Sequence, residues 1–548
     1  MVESRCDVDS AGSSTKSHLG RSLGMAASTP TIGESTQFTA ERLAQTANKE
    51  KQIIVTFTNR VRLDFAYTWV AHVRRLNLTN WLVGATDRRA LRALVAARVP
   101  AFTMRTNLPE GEWDWGSPSF KALGQHKVEL IYKALQWGME LVITDIDALV
   151  LREPFAYMRR YPDAGFLTTT DYLANTSSSD SGGLEGREAA SGAFNIGYMF
   201  FRKSALPLVQ AWRRTIATNP RGRWDQGEFN ALARPQSGDP GRASAPLSDP
   251  RLFRTFGGRV VGGVLPVALF CGGHHYFVSQ LPQRSHLRPY SIHTTFQYGG
   301  APGKRHRLRE AGVWVDDAAY FNVSVLRFTP AVTQALRYPV GGMSSAGHVA
   351  LMTEQLHAIR VGLALAHSLG RLLVLPPIMC GYDKYWASLS SAGVIPGAHR
   401  WAVPISDCPL DHMLNPAELK PQPAAYVREH SFLANPRLHP SLHQWTSTAL
   451  RVAGGEAEWH RLRDSMAVRP SARQSSIALA YALCTSSGTT AKSWSSHGTV
   501  TCVCFPPAQG ARVLDITNLY SVASDVWSSK AVLPDAMWRR FRRRWAGL

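Results

Sequence analysis

The chain has 548 residues, of which 45% are hydrophobic and 18% are charged. This length predicts two folded domains rather than one, and the composition excludes a largely disordered protein. The net charge of +21 predicts anionic partners, such as nucleic acids, membranes or sugar nucleotides. Only the terminal MWRRFRRRWAGL concentrates this charge, so most of it is interpreted as a general bias in composition.

The first residues, 1–49, are rich in Ser, Thr, Gly and Ala, and we expect a disordered leader there. Strands then alternate with helices: one strand begins at Gln52 and the next ends at Asp87. This alternation predicts a mostly parallel sheet, which binds ligands at the carboxyl ends of its strands. Thr56, Asn59 and Asp87 lie at those ends and are candidates for contacting a nucleoside, although each could equally cap the following helix.

The central motif is LVITDIDALV, residues 141–150, which follows an amphipathic helix over about residues 119–138. Asp145 and Asp147 stand two residues apart where the apolar run breaks. In an extended segment, side chains at positions i and i+2 share one face, so we expect both carboxylates to point to the same object. Because two such acids repel each other, a divalent cation is the natural third party. A solvated turn or a helix cap is the alternative interpretation.

Polar residues also stand next to the strands that follow. Residues 173–191 are rich in Ser and Gly and are predicted to form a loop over the site. In GAFNIGYMFFRKS, a turn containing Asn195 and Gly197 is predicted to precede a strand. WDQGEFN brings Asp225 and Gln226 together, either as ordinary partners of a helix dipole or as groups that act on a ligand.

The run YSIHTTFQYGGAPGKRHRLRE predicts a strand that ends at His293, then a Gly and Pro turn and a basic cluster. The cluster contains Lys304, Arg305, Arg307 and Arg309. Imidazole is a good ligand for manganese when carboxylates supply the rest, and nearby cations would neutralise a departing diphosphate. The alternative is a core histidine followed by a solvated basic turn.

Taken in order, VITDIDALVLREPF, GAFNIGYMFFR, WDQGEFN, HHYFVSQL, IHTTFQYGGAPGKRHRLRE, LLVLPPIMC and CPLDHML resemble the plant-type arabinosyltransferases of glycosyltransferase family 77. The branch that they resemble arabinosylates hydroxyproline-rich cell-wall glycoproteins. The resemblance runs from about residue 50 to residue 440.

This resemblance implies an α/β fold of the GT-A type, a UDP-sugar donor, a Mn²⁺ or Mg²⁺ requirement and retention of anomeric configuration. By position, Asp145 and Asp147 match the metal-binding pair, and Asp145 also borders the donor. His293 and Lys304 stand where related enzymes place a third metal ligand and a lysine that binds the diphosphate. Asp225 and Gln226 match the Asp-Gln pair near the acceptor and are the candidate catalytic residues.

A second α/β pattern begins near residue 342, where a helix is followed by a buried strand. Gln355 and Arg360 in this helix resemble the first unit of GDP-fucose protein O-fucosyltransferases, without the paired acids of a second active site. Cys380 and Cys408 could form a bridge. The predicted divisions are a leader over 1–49, a GT-A domain over 50–315, a smaller acceptor-recognition or structural α/β domain over 316–510, and a basic tail over 511–548.

The resulting hypothesis is a retaining transferase that moves a pentose, L-arabinofuranose, from UDP to a protein-linked glycan. Xylosyl or galactosyl transfer is the alternative within the same class. A non-catalytic polyanion-binding protein and a scaffold without turnover are the rivals from other classes. We expect a glycoprotein acceptor, no nucleic acid, and membrane association through the basic tail. We also expect a Golgi lumen or Golgi membrane location, although this sequence shows no anchor.

Overall fold

The structure is a computed structural model of the chain. It describes residues 36–113, 116–172, 179–218, 222–235, 246–297, 299–329, 344–368, 371–380, 408–414, 416–418, 425–438 and 513–517. None of the helices in these ranges is long and apolar enough to cross a membrane.

The first domain contains a large sheet whose strands are β1 (Gln52–Thr58), β2 (Trp81–Ala85), β3 (Ala101–Thr103), β4 (Glu140–Thr144), β6 (Phe166–Thr170), β7 (Phe194–Phe201), β8 (Phe253–Thr255) and β9 (Val260–Val264). Their order is β3-β2-β1-β4-β7-β6-β9-β8. The pairs among β3, β2, β1 and β4 are parallel, as is β6 with β9, and the other pairs are antiparallel. This mixed, mostly parallel sheet confirms the α/β class predicted for the domain.

A smaller sheet joins β5 (Ala148–Val150), β10 (Phe270–Cys271) and β11 (Ser291–His293) in the order β10-β11-β5. The strands β5 and β11 are antiparallel, and His293 lies opposite Ala148 in their register. The end of the DIDALV motif is therefore paired with the strand that carries His293.

The helices of the first domain are α1 (Ala40–Thr46), α2 (Leu63–Arg75), α3 (Arg88–Ala96), α4 (Pro118–Gln136), α5 (Phe155–Met158), α6 (Leu206–Ala217), α7 (Asp225–Ala233), α8 (Leu281–Arg284) and α9 (Gly300–Glu310). Ser117 caps α4 by accepting a hydrogen bond from the Phe120 N–H, and Pro118 occupies its first turn, as expected of a helix start.

Two apolar layers cover the large sheet because successive side chains of a strand point to opposite faces. Ile54 belongs to the layer that contains Trp69 of α2, whereas Ile53 and Val55 belong to the layer that contains Trp212 of α6. Burial of each such side chain contributes about 1.5–3 kcal/mol before the entropy of ordering is subtracted. The sheet is thus buried on both faces, and its strand ends are left for ligands.

The second domain contains α10 (Ala318–Phe321), β12 (Val325–Thr329), α11 (Ser345–Ser368), β13 (Leu372–Val374), β14 (Val427–Arg428) and β15 (Val513–Thr517). The strands form a parallel sheet in the order β14-β13-β12-β15. A disulfide joins Cys380 to Cys408, as the sequence suggested.

Several sequence predictions need correction. The leader 1–49 is not disordered throughout, because α1 lies within it and Phe38 packs on Phe102, although residues 1–35 lie outside the described ranges. The basic tail predicted over 511–548 contains β15, which pairs with β12 and so belongs to the second sheet. The rest of that tail lies outside the described residues.

Three local predictions are also wrong in detail. Asn195 and Gly197 lie inside β7 rather than in a turn before it. The basic run around Lys304 is the helix α9 and not a solvated turn. The amphipathic helix predicted over about residues 119–138 is α4, which begins at Pro118 and ends at Gln136.

Candidate metal and donor site

Asp145 and Asp147 lie in a turn between β4 and β5, and not in one extended segment as the sequence suggested. The turn is closed by a hydrogen bond from the Ala148 N–H to the Asp145 carbonyl oxygen, at 3.0 Å. The two acids nevertheless converge. Asp145 follows β4 of the large sheet, Asp147 precedes β5 of the small sheet, and the turn between these strands brings both carboxylates to the same place. The expected convergence is therefore present, but the reason given for it from strand geometry is wrong.

One oxygen of each carboxylate is held by a lysine. Lys127 of α4 donates to Asp145 Oδ1 at 2.7 Å and to the Ile196 carbonyl oxygen at 2.7 Å. Lys304 of α9 donates to Asp147 Oδ2, which also accepts from the Thr294 hydroxyl at 2.9 Å. These contacts leave Asp145 Oδ2 and Asp147 Oδ1 facing His293 Nε2, at 3.9 and 3.6 Å.

The His293 ring is oriented by Asn195 of β7. His293 Nδ1 lies 3.1 Å from Asn195 Oδ1, which also accepts a hydrogen bond from the Gly197 N–H at 2.9 Å. Because this oxygen is an acceptor, the proton of the neutral ring belongs on Nδ1, and the lone pair of Nε2 is directed at the two carboxylates.

The three facing atoms fit a divalent cation. Ligand atoms of Asp145, Asp147 and His293 all lie within 4.8 Å of one another. An octahedral ion with ligands at about 2.1 Å holds adjacent ligand atoms about 3 Å apart, so a small contraction would close the site. Two carboxylates and one imidazole suit Mn²⁺ or Mg²⁺ better than a soft metal. These residues also leave coordination positions for phosphate oxygens.

Local charge keeps Asp147 ionised. Burial would raise the pKa of this carboxyl, but the charge of Lys304 beside it holds the pKa well below its usual range. An ionised, buried carboxylate that already has a cationic partner is prepared for a metal, since no proton has to leave at neutral pH.

Asp171 and Asn195 extend the site away from the metal ligands. Asn195 Nδ2 donates to Asp171 Oδ1 at 3.0 Å, and Gln226 is a second hydrogen-bond partner of Asp171. Burial raises the pKa of Asp171 to about 6, and the hydrogen bond from Asn195 limits the rise. A chain of polar groups therefore runs from Gln226 through Asp171 and Asn195 to His293, and it could hold the hydroxyl groups of a sugar.

Asp225 occupies the first turn of α7 and packs against α4. A β-carbon added to Gly124 would stand 2.6 Å from the Asp225 carboxylate, so the glycine makes room for the acid. Burial raises the pKa of Asp225 to about 6, with Lys127 lowering it and Asp145 raising it. The charge of Lys127 thus acts on both Asp225 and Asp145. Asp225, the predicted catalytic acid, lies beside the pair of candidate metal ligands.

Two further cations border Asp147. Arg62, just before α2, makes an ion pair with Glu112 at 2.5 Å, and the charges of Asp147 and Arg305 both act on it. Arg305 itself is paired with Asp64. With Lys304, these arginines give the edge of the site a positive field that suits a diphosphate.

The residues predicted to contact a nucleoside are placed less decisively. Thr56 is fully buried in β1, and its hydroxyl has no hydrogen-bond partner among the described residues. Asn59 follows β1 and donates to the Gly111 carbonyl oxygen at 2.7 Å. Asp87 caps α3 by accepting from the Ala90 N–H at 2.7 Å and also accepts from the Arg60 N–H. A nucleoside contact for these three stays a prediction.

Sequence reasoning missed Lys127 and Asp171 as site residues. Lys127 lies within the buried stripe of α4, between apolar positions such as Leu123 and Ile131, and only 3% of its surface is exposed. A lysine in an apolar stripe is the signal that could have identified it. Asp171 directly follows β6 and could have been found by the same strand-end argument that selected Asp87.

Residues 76–308 match the family model of the nucleotide-diphospho-sugar transferases. The arabinosyltransferase XEG113 of Arabidopsis thaliana is 37% identical over 420 residues, which are 74% of this chain and 63% of that protein. The arabinosyltransferase RRA1 of the same plant is 26% identical over 34% of this chain and 50% of its own length. The β-arabinofuranosyltransferase RAY1, also of Arabidopsis thaliana, is 21% identical over 31% of this chain and 30% of its own length. The chain thus spans less than two thirds of these relatives.

Similar solved structures are also glycosyltransferases by title. GlyE of Streptococcus pneumoniae TIGR4 shares 11% identity over 57% of this chain and 73% of its own, with a TM-score of 0.29. The galactosyltransferase LgtC, solved with donor and acceptor sugar analogues, shares 12% identity over 44% of this chain and 86% of its own, with a TM-score of 0.24.

Proposed function

We propose that the chain is a nucleotide-diphospho-sugar transferase related to the plant arabinosyltransferases of glycosyltransferase family 77, and that it transfers a pentose from a UDP-sugar to a glycoprotein. The proposed sugar is L-arabinofuranose, in line with the arabinosyl and arabinofuranosyl transfer in the names of the relatives. The proposed acceptor is a glycan on a hydroxyproline-rich glycoprotein, as the family resemblance of the sequence implies. Xylosyl and galactosyl transfer are the alternatives that the test below separates.

One observation carries the proposal: Asp145 Oδ2, Asp147 Oδ1 and His293 Nε2 face one another at 3.6–3.9 Å from the imidazole nitrogen, with a lysine behind each acid. The lysines occupy one oxygen of each carboxylate, and the other oxygen of each is turned to the imidazole. Three ligand atoms directed at one point are an arrangement that suits a metal ion.

In the proposed reaction, Asp145, Asp147 and His293 would hold Mn²⁺ or Mg²⁺, which supplies Lewis-acid stabilisation of the leaving diphosphate. Lys304 of α9 contacts Asp147 and would neutralise the charge that grows on the diphosphate as the bond between the sugar and the phosphate breaks. Arg62 and Arg305 add to the same positive field. The protein thus concentrates cations where the leaving group develops charge.

Retention of configuration is compatible with two routes. In the first, the acceptor hydroxyl attacks the anomeric carbon from the side that UDP leaves, and its proton passes to the departing phosphate oxygen. In the second, Asp225 attacks first and forms a glycosyl ester, which the acceptor then opens. A pKa of about 6 keeps Asp225 mostly ionised at neutral pH, so it can act as a nucleophile or stabilise an oxocarbenium ion. Gln226 would donate a hydrogen bond to the sugar.

The proposed location is the Golgi lumen or its membrane. The disulfide between Cys380 and Cys408 supports an oxidising compartment, because such bonds do not persist in the cytosol. The proposed glycoprotein acceptor would be met there. Membrane association through the basic C-terminal residues remains a proposal that rests on their charge alone.

The test is a panel of UDP-sugars incubated with the full chain in Mn²⁺, in Mg²⁺ and in chelator, with release of UDP as the readout. We expect hydrolysis of UDP-L-arabinofuranose in Mn²⁺ that the chelator abolishes, and weaker hydrolysis of UDP-hexoses. Faster hydrolysis of a UDP-hexose or of UDP-xylose would reassign the donor. Absence of metal-dependent UDP binding and release with every donor would contradict the proposed function.

A further inference from the structure

The second domain contacts the candidate site through Arg307 of α9. The Arg307 Nε donates to Asp411 Oδ1 at 2.8 Å, and only 1% and 0% of the two side chains are exposed. Asp411 lies in a short 3-10 helix, Leu410–His412, which the disulfide at Cys408 ties to the end of the second sheet. The buried ion pair therefore joins the two domains.

The remaining donors of Arg307 hold the loop that connects the metal ligand to the lysine of the site. Nη2 donates to the Phe296 carbonyl oxygen at 2.9 Å, and Nη1 donates to the Thr295 carbonyl oxygen at 3.4 Å. The described residues of this loop, 294–297 and 299, lie between β11, which ends at His293, and α9, which carries Lys304. The planar guanidinium donates to two carbonyl oxygens of this loop at once, and the single ammonium group of a lysine could not reproduce that geometry.

The loop needs such support because of its backbone. Phe296 has a φ of 50°, a left-handed conformation that a residue with a large side chain rarely adopts. Thr294, at the start of the loop, contacts Asp147 through both its N–H and its hydroxyl. A small shift of the loop would therefore move Thr294, and Lys304 in the helix that follows, relative to Asp147, while His293 is held by the pairing of β11 with β5.

We propose that Arg307 and Asp411 are positioning residues, through which the second domain sets the geometry of the donor-diphosphate site. This inference rests on the proposed function. It assigns the second domain a task in donor binding, in addition to any task in acceptor binding. Leu410 strengthens the connection, because its N–H donates to Glu310 of α9 at 3.1 Å.

The test compares Asp411→Asn and Arg307→Lys with a matched control, Glu140→Gln, in the full chain. Glu140 accepts a hydrogen bond from Arg202 at 2.8 Å, and Arg202 also donates to the carbonyl oxygens of Tyr161 and Ala164. The control therefore alters the same kind of guanidinium bridge. It lies at the opposite end of β4 from Asp145, roughly 16 Å away along the strand.

For Asp411→Asn, we expect the Kd for UDP with Mn²⁺ and the KM for the donor to rise about tenfold, the usual effect of removing a supporting partner behind metal ligands. The kcat at saturating donor should change much less, and the control should match the wild type in both constants. Arg307→Lys, which keeps the charge, should also weaken UDP binding because it loses the fork. Unchanged UDP binding in both variants, or equal weakening in the control, would overturn the proposal.

Hydrogen–deuterium exchange gives a readout that does not depend on the activity. Amides of residues 294–299 should exchange faster in Asp411→Asn than in the wild type, and at the wild-type rate in Glu140→Gln. If the wild type binds no UDP, the proposed function fails, and this exchange measurement alone decides whether Asp411 positions the loop. Unchanged exchange in Asp411→Asn would refute the positioning role even if the enzyme is active.

Discussion

The two α/β sheets of the molecule use polar side chains at their strand ends in different ways. After β4, Asp145 and Asp147 each accept a hydrogen bond from a lysine through one oxygen, and the other oxygen of each faces His293. After β13, the amide of Gln355 in α11 bonds only to backbone: it accepts from the Met379 N–H at 2.7 Å and donates to the carbonyl oxygens of Met379 at 2.9 Å and Leu351 at 3.2 Å.

The difference teaches what separates a ligand site from a structural clamp. Both regions bury polar groups and satisfy them, as folding requires. Only in the first region do several ligand atoms still point to one place once the local hydrogen bonds have been made. Both regions have polar side chains near the carboxyl end of a strand, and they differ in the number of side-chain atoms that remain for a ligand.

The largest expected effect comes from Asp147→Ala, which removes one ligand and the partner of Lys304. Metal-dependent hydrolysis of the UDP-sugar should fall about 100-fold or more, because a metal that stabilises the leaving charge contributes several kcal/mol to the barrier. Initial rates of UDP release at saturating Mn²⁺ measure this. The control is Asp163→Ala, which removes an exposed acid that accepts a hydrogen bond from the Ser248 N–H. A wild-type rate in Asp147→Ala would show that the pair binds no catalytic metal.

A smaller effect is expected from Gly197→Ala. The added methyl group would overlap the His293 imidazole ring, so the ring must leave its place between Asn195 and the acids. The affinity for Mn²⁺ should fall about tenfold, as expected when the orientation of a ligand is lost. Titration of free Mn²⁺ by electron paramagnetic resonance measures it. Gly227→Ala, where the nearest atom would stand at 3.4 Å, should bind Mn²⁺ like the wild type.

Much of the first domain followed from the sequence, because its elements are long and strongly patterned. The predicted strand from Gln52, the helix before the acids and the strand that ends at His293 are all present. The turn at Asp145 was not predicted, because it is fixed by the passage of the chain between two sheets, which involves pairing with β11, far along the chain.

The site residues were recovered unequally for a related reason. The resemblance to a family and the spacing of the acids selected Asp145, Asp147 and His293, which the structure brings together. The role of Lys127 depends on a contact across 18 positions of sequence, and that of Arg307 on a contact across 104 positions. Neither contact has a local pattern, so only the folded chain reveals it.

Gln355→Leu tests whether the polar group of the second domain is structural only. The substitution leaves the N–H and the carbonyl oxygen of Met379 without their buried partner, which should reduce the free energy of unfolding by about 1–3 kcal/mol. The affinity of the folded protein for Mn²⁺ should stay at the wild-type value. Denaturant unfolding and Mn²⁺ titration together check this, and a loss of Mn²⁺ affinity without a loss of stability would be the contrary result.

The smallest expected effect is on the free energy of unfolding and concerns His275. This histidine lies near the first site, is not one of the candidate metal ligands, and does not use both ring nitrogens in hydrogen bonds among the described residues. Its Nε2 contacts the Tyr172 carbonyl oxygen at 3.1 Å, whereas Nδ1 has no partner among the described residues. Burial, together with the neighbouring His274, lowers the pKa of His275 to about 3.

Because the unfolded chain takes up this proton near pH 6.5 and the folded chain only near pH 3, stability is complete above pH 6.5 and is lost as the pH falls between these values. Between pH 6 and pH 5, the free energy of unfolding of the wild type should therefore fall about 1 kcal/mol more than that of His275→Asn. Denaturant unfolding at both pH values measures the difference. Equal pH dependence in the two proteins would show that His275 protonates while folded.

The pairing of His293 opposite Ala148 has a consequence for how proteins of this kind diversify. The imidazole is delivered to the acids by backbone register, and a slip of one residue would send it to the other side of the small sheet. Loops other than the one that follows His293 could then change in sequence without moving the imidazole, because hydrogen-bonded strands hold this residue in place. In the proposed transferase, substrate preference could therefore change while the site stays the same.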